Sequence, residues 1–128
     1  MEWYKSLKKS PLNPPSWIFG PVWTFLYALI AYSFYTYLKG HGSKSVPVIG
    51  ISVFAIHMLA NFAWAPIFFT LKQPNWAFID ICFMLITLLY TIYLFNKRSS
   101  KAALLLLPYL AWVSFATYLN YDIVRLNY

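Results

Sequence analysis

Four long apolar stretches, separated by short polar segments, organise the chain. They cover residues 17–38, 46–71, 76–96 and 102–124. Each stretch has about the 20 residues that a helix needs to cross a hydrocarbon core about 30 Å thick, and none alternates apolar and polar residues as a barrel strand would. The pattern therefore predicts an all-α integral membrane bundle with four transmembrane helices. Residues 1–128 form one domain, in which residues 1–16 are a loop or lid before the first helix.

The polar segments between these stretches carry the signals of helix ends. Residues 39–45 include two glycines, and Asn75 and Ser100 are candidate N-caps for the helices that follow them. Because all three connections are short, we expect consecutive helices to pack antiparallel. Both termini and the second connection then share one membrane face, and the first and third connections share the other.

Basic residues divide equally between these two faces. The face of the termini carries Lys5, Lys8, Lys9, Lys72 and Arg125. The opposite face carries Lys39, Lys44, Lys97, Arg98 and Lys101. An excess of basic residues orients membrane proteins with that face in the cytoplasm, so an equal count predicts no orientation.

The composition excludes several other classes of protein. Hydrophobic residues make up 61% of the chain and charged residues 10%, against about 45–50% and about 25% in soluble domains, which rules out an ordinary soluble domain and a disordered chain. The net charge is +7, and because the basic residues flank apolar stretches, the expected partner is the lipid bilayer rather than nucleic acid. The single cysteine, Cys82, excludes a disulfide framework within the chain.

Polar and aromatic residues inside the spans form stripes along single helix faces. In the second span His57, Asn61 and Trp64 follow an i, i+4, i+7 spacing, and in the first span Trp23 and Tyr27 are four residues apart. The last span offers a third stripe, formed by Tyr109, Trp112, Ala116 and Asn120. Facing inward, these stripes would line a pocket with flat aromatic walls and a few hydrogen-bonding groups, which suits a large planar ligand.

Structural roles compete with the pocket hypothesis at each position. Tryptophan and tyrosine often form interfacial belts, and Asn61 can simply join two helices. His57 is expected to be a hydrogen-bonding residue rather than a metal ligand, because no second histidine lies in a span, and no metal site is predicted. For Asp80 a structural role near a helix start is favoured over proton coupling. The sequence has no phosphate-binding loop, zinc-type spacing or Ser–His–Asp set, so hydrolytic or metal catalysis is not expected.

Several longer segments resemble those of a known family. The chain reads WYKSL at 3–7, NPPSWIFGPVWTFLY at 13–27, NFAWAPIFF at 61–69 and PYLAWVSFATYLNY at 108–121. In this order they are similar to segments of the TspO/MBR family of tryptophan-rich sensory proteins and translocator proteins (peripheral benzodiazepine receptors). Members have five spans, the first of which precedes the WY segment, so the resemblance implies that this chain holds four of the five helices.

The resemblance also implies a ligand and a binding site. Family members bind tetrapyrroles, notably protoporphyrin IX, and sterols, and no obligatory cofactor is implied beyond a protoporphyrin IX or haem-type tetrapyrrole as ligand. The family's pocket positions fall on Tyr4, Trp23, Tyr27, His57, Asn61, Trp64, Trp112 and Ala116. A sterol-recognition pattern falls on Leu119, Tyr121 and Arg125, where interfacial anchoring is the alternative.

We therefore expect a membrane receptor or sensor that binds tetrapyrroles and related flat hydrophobic ligands. Two alternatives stay open: a transporter of porphyrin or sterol, and a light-dependent porphyrin-degrading enzyme in which Trp23 and Trp112 would take part. A homodimer is expected. The expected location is a bacterial membrane, with the mitochondrial outer membrane as the alternative.

Overall fold

The computed structural model describes residue 7, residues 16–40 and residues 47–127. A 3₁₀ turn, Ser16–Ile18, leads into helix α1, Phe19–Lys39, and helix α2, Val48–Ala65, continues into a π-helical turn, Pro66–Thr70. Helix α3 is Pro74–Asn96, and the last span consists of a short helix α4, Ser100–Leu105, and helix α5, Leu107–Asn127. Within these residues every regular element is a helix, which confirms the predicted all-α fold.

Among the described residues, three helical segments are long and apolar enough to cross a membrane: Val48–Thr70, Pro74–Asn96 and Ser100–Asn127. Helix α1 has 21 residues, which extend about 32 Å at 1.5 Å per residue and so match the hydrocarbon thickness. Tyrosine, serine and threonine recur along α1 and lower its average hydropathy. The four predicted spans thus correspond to four helical segments, and α1 is the one that is not among these three candidates.

Two prolines interrupt the backbone regularity of the second and last spans. Proline has no N–H and its ring collides with the carbonyl four residues earlier. Pro66 accordingly begins the π-helical turn, in which the Leu71 N–H donates to the Pro66 carbonyl at 2.9 Å. Pro108 follows the break at Leu106, so the predicted span 102–124 is two helices rather than one.

The predicted N-caps were wrong. Ser99, not Ser100, caps α4, because Ser99 has the extended backbone (φ −154°, ψ 110°) that an N-cap needs and its Oγ accepts from the Ala102 N–H at 3.2 Å. Asn75 lies inside α3, which begins at Pro74 without a side-chain cap. Proline at the first helical position explains that start, since its missing N–H would have had no partner there.

The helices pack in a ring in which α3 lies between α2 and α5, and α1 lies against α4 and α5. At the end near residues 40, 47 and 97–99, which we call the closed end, aromatic rings fill the space between the helices. Phe34 and Phe54 stack with centroids 4.5 Å apart, and Tyr37 stacks on Phe95 at 4.0 Å. Gly50 lets α2 approach here, because a Cβ at this position would collide with the Tyr37 hydroxyl.

Arg98, which follows α3, joins the closed end of α3 to the end of α1. Its Nε donates to the Tyr37 carbonyl at 2.6 Å and its Nη2 to the Leu38 carbonyl at 3.0 Å. These carbonyls belong to the last turn of α1 and have no partner within the helix. A hydrogen bond of 2.7 Å from Ser33 Oγ to the Ala102 carbonyl also joins α1 to α4. The opposite half of the bundle, near residues 16–18 and 71–73, is less tightly filled, and we call it the open half.

Candidate functional site

The open half of the bundle encloses a cavity of about 360 Å³. All four helical segments contribute to its walls, most of which are aromatic or aliphatic. The lining side chains with a role below are Phe19, Trp23, Tyr27, Asn61, Trp64, Phe68, Phe69, Trp112, Ala116, Leu119 and Asn120.

Helical periodicity accounts for most of these positions. Trp23 and Tyr27 lie one turn apart on α1, and Asn61, Trp64 and Phe68 follow one face from α2 into the π-helical turn. The extra residue in that turn rotates the chain, so that Phe69 also lines the cavity beside Phe68. Such π-helical turns occur often at functional sites.

The walls are aromatic rings that meet mainly edge to face. Trp112 lies perpendicular to Trp23 (88°, centroids 6.4 Å apart) and edge-on to Phe19 at 5.7 Å. On the facing wall Trp64 stacks on Phe68 at 5.0 Å. Edge-to-face packing fixes the rings and leaves flat faces available to a ligand, where stacking is worth about 0.5–1.5 kcal/mol per aromatic pair beyond area burial.

A chain of hydrogen bonds crosses the bundle beneath the cavity, and the part of it formed by Tyr27, Asn61 and Tyr109 is the polar floor of the cavity. The Tyr27 hydroxyl donates to Asn61 Oδ1 at 2.6 Å, and Asn61 Nδ2 donates to the Tyr109 hydroxyl. The same hydroxyl lies 2.8 Å from His57 Nε2, and His57 Nδ1 lies 2.9 Å from Thr87 Oγ1. The chain thus joins α1, α2, α5 and α3, and its three central side chains, those of His57, Asn61 and Tyr109, are buried.

The donor and acceptor of each hydrogen bond in this series can be assigned by starting from Thr87. Thr87 Oγ1 lies 2.9 Å from the Phe83 carbonyl and 3.0 Å from the Met84 carbonyl, so its only proton is directed to the α3 backbone. Thr87 must therefore accept from His57 Nδ1–H, which leaves Nε2 to accept from Tyr109. The neutral His57 ring is satisfied at both nitrogens, which fits a hydrogen-bonding role rather than a metal-binding one.

Asn120 holds the Trp64 wall in place. Trp64 Nε1 donates to Asn120 Oδ1 at 3.0 Å, and Asn120 Nδ2 donates to the Pro74 carbonyl at 3.1 Å. Asn120 is buried, so these bonds are made away from water. The indole N–H of Trp64 is therefore already hydrogen-bonded, and Trp64 contributes its apolar ring to the cavity wall.

Trp112 differs from Trp64 in this respect. Its Nε1 is buried and finds no acceptor among the residues that the structure describes. A buried donor without a partner costs about 1–3 kcal/mol, so such a group in a cavity wall indicates a place where a ligand acceptor would bind. The site therefore combines apolar walls, a hydrogen-bonded polar floor and a Trp112 indole N–H that has no acceptor among the described residues.

The structure brings most of the predicted site residues together. Those that line the cavity are Trp23, Tyr27, Asn61, Trp64, Trp112 and Ala116. His57 does not line it and lies behind Tyr109, beneath the floor. Tyr4 lies outside the described residues.

The residues of the sterol pattern point in different directions. Leu119 lines the cavity, whereas Tyr121 is exposed on the outer surface of the bundle. The exposed Arg125 pairs with buried Asp122 at 2.9 Å, one helical turn away. Asp80, the other acid in a span, lies on α3 and does not line the cavity.

The prediction did not include Phe19, Phe68 and Phe69 among the site residues, although all three line the cavity. Asn120 also lines it; the predicted stripe of the last span contained Asn120, but the positions implied by the resemblance did not. A signal existed for Phe68, which extends the stripe of Asn61 and Trp64. Phe69 depends on the π-helical turn, which helical periodicity does not reveal.

Comparison with known proteins gives a consistent result along the whole chain. The sequence model of the TspO/MBR family matches residues 1–126. The chain is 38% identical over 125 residues to the tryptophan-rich protein TspO of Chlorobaculum tepidum, a match that covers 98% of this chain and 79% of the relative. It is 36% identical to the translocator protein of Homo sapiens, over 100% of this chain and 76% of the relative. With the tryptophan-rich sensory protein of Cereibacter sphaeroides the identity is 32%, over 99% and 78%.

Proposed function

The chain belongs to the TspO/MBR family of integral membrane proteins, and on that premise we propose that it is a receptor or sensor for a flat, largely apolar ligand, with protoporphyrin IX as the first candidate and a sterol as the second. One observation carries the proposal: an aromatic cavity inside the bundle whose wall contains the Trp112 indole N–H, a donor with no acceptor in the part of the chain that the structure describes. A transporter and a light-dependent porphyrin-degrading enzyme stay alternatives for the same site.

The chemistry of the cavity supports a planar ligand. Its volume of about 360 Å³ lies at the lower end of the range of about 300–1,000 Å³ for small-molecule sites, so a macrocycle would enter by one edge and keep part of its rim outside the walls. The rings of Trp23, Trp64 and Trp112 would contact its faces. The Trp112 N–H would donate to an acceptor such as a carboxylate or carbonyl oxygen of the ligand.

The hydrogen bonds of the polar floor hold its side chains in one arrangement, which favours a preformed pocket. Asn61 uses one lone pair of Oδ1 for Tyr27 and one proton of Nδ2 for Tyr109, so the amide cannot rotate without breaking both hydrogen bonds. Its second lone pair and second proton have no partner among the described residues, so a ligand could use them. A sterol hydroxyl could use both, since a hydroxyl donates and accepts.

The compartment and the assembly stay predictions: a bacterial membrane, with the mitochondrial outer membrane as the alternative, and a homodimer. Related proteins named TspO or translocator protein occur in bacteria and in mammals alike.

A cavity-filling substitution tests the proposal. Ala116→Phe places a ring inside the cavity, whereas Ala111→Phe places the same ring on the exposed face of the same helix, α5. Protoporphyrin IX is titrated in the dark into each protein in nanodiscs, with empty nanodiscs to measure partition into lipid. We expect saturable binding near one ligand per chain for the native protein and Ala111→Phe, and a loss of at least about tenfold in affinity for Ala116→Phe, because the ring occupies the volume that the ligand needs. Equal binding by both variants would contradict the proposal.

A further inference from the structure

Basic side chains form a rim around the closed end of the bundle. Lys39 ends α1, Lys97 and Arg98 follow α3, and Lys101 lies in the first turn of α4. The three lysines are exposed, while Arg98 is half-buried and donates to the α1 backbone. We call Lys39, Lys97, Arg98 and Lys101 the basic rim.

A tyrosine ring supports each lysine of the rim. The Lys39 ammonium lies 5.5 Å from the centre of the Tyr35 ring, and that of Lys97 lies 4.6 Å from the centre of the Tyr93 ring. Lys101 Nζ lies 4.9 Å from the Tyr32 ring and donates to its hydroxyl at 2.8 Å.

These contacts set the position of the ammonium groups relative to the bilayer. Tyrosine prefers the membrane–water interface, where its ring is apolar and its hydroxyl is hydrated. The tyrosines therefore hold the ammonium groups at the level of the lipid headgroups. Each ammonium has three N–H donors, of which the tyrosine contacts use at most one.

The acidic residues that the structure describes lie away from this rim. Asp80 belongs to the first third of α3 and Asp122 to the last turns of α5. The four residues of the basic rim therefore carry a net charge of +4, with no described acidic residue beside them.

We propose that the basic rim is a binding surface for the headgroups of anionic phospholipids. The phosphodiester of a lipid offers charged acceptor oxygens at the depth of the lysine ammonium groups, and its acyl chains lie along the exposed tyrosine rings below. Attraction of basic residues to an anionic leaflet falls off within a Debye length, so only residues held at the interface contribute strongly. This surface is at the opposite end from the ligand cavity and is independent of it.

The test compares two variants of the full chain that lose the same charge. Lys39→Gln/Lys97→Gln/Lys101→Gln removes three charges from the rim, and Lys5→Gln/Lys8→Gln/Lys9→Gln removes three charges from the N-terminal segment. Each protein is reconstituted into phosphatidylcholine vesicles, and electron paramagnetic resonance measures the association of spin-labelled phosphatidylglycerol relative to spin-labelled phosphatidylcholine. Circular dichroism verifies that both variants are helical. A third variant with arginine at the three rim positions keeps the positive charges and tests whether charge at these positions is sufficient.

The native protein, the N-terminal variant and the arginine variant are expected to select phosphatidylglycerol. The rim variant should lose at least about threefold in relative association, because the headgroups lose the three charged donors that the native rim holds at the interface. An equal loss in the two glutamine variants would mean that net charge alone matters and would overturn the proposal. Displacement of the labelled lipid by millimolar inorganic phosphate would overturn it in favour of a soluble anion.

Discussion

Trp112→Phe tests the role of the one cavity donor that has no partner among the described residues. The substitution retains an aromatic ring in the wall and removes the Nε1–H, which is buried and makes no hydrogen bond with that part of the chain. In the ligand-free protein the removal therefore breaks no hydrogen bond that the structure describes. In the complex it removes a donor that a ligand acceptor would satisfy.

The expected effect follows from the cost of an unsatisfied buried donor. That cost is about 1–3 kcal/mol, and a ligand acceptor recovers it on binding. Trp112→Phe should therefore raise the Kd for protoporphyrin IX by about 5- to 150-fold. Part of the change would come from lost ring contacts with Phe19 and Trp23, which lie 5.7 and 6.4 Å away between ring centres.

A second ligand separates the two contributions. An alkyl porphyrin without carboxylates keeps the stacking area but lacks the charged acceptor oxygens, so the substitution should affect it less. Trp76→Phe is the matched control protein, because Trp76 is 64% exposed and lies outside the cavity. Binding is measured in the dark through the porphyrin absorption band. The reasoning would be refuted if Trp112→Phe weakened both porphyrins equally, or if it bound protoporphyrin IX as Trp76→Phe does.

Two further predictions concern the parts of the bundle that position the cavity. Gly50→Ala should lower the thermal unfolding midpoint in detergent, because its Cβ would collide with both the hydroxyl and the ring of Tyr37. Gly20→Ala, which has open space at its Cβ, is the control, and equal midpoints for the two alanine variants would refute the close approach. Tyr109→Phe should lower the same midpoint, because His57 Nε2 and Asn61 Nδ2 both lose their hydrogen bond to the Tyr109 hydroxyl. Each buried group left without a partner costs about 1–3 kcal/mol of stability. An unchanged midpoint would show that the floor hydrogen bonds contribute little.

The sequence alone predicted the features that depend on residues close together in the chain. Residues one helical turn apart share a face in any helix, so Trp23 with Tyr27, and Asn61 with Trp64, could be assigned to common faces from their spacing alone. The lengths of the apolar stretches likewise predicted the helices, since backbone groups in lipid must be satisfied within each segment.

The remaining features depend on how the helices meet, which no local pattern contains. His57 follows the same stripe as Asn61, yet it lies beneath the floor because Tyr109 from α5 reaches between them. The place of Phe69 depends on the π-helical turn that Pro66 starts. The two indoles also differ through packing alone: the Trp64 N–H donates to Asn120, whereas the Trp112 N–H has no acceptor among the described residues.

The most direct test of the ligand site is the indole N–H spectrum of the native protein. Tryptophan labelled with ¹⁵N at Nε1 is followed by nuclear magnetic resonance during a titration with protoporphyrin IX in the dark, with assignments from single Trp→Phe variants. The account predicts that the Trp112 N–H resonance moves downfield and saturates near one ligand per chain, since it gains an acceptor, while the exposed Trp76 resonance stays in place. Shifts that never saturate, or that are as large for Trp76 as for Trp112, would contradict it and indicate partition of the porphyrin into the surrounding lipid.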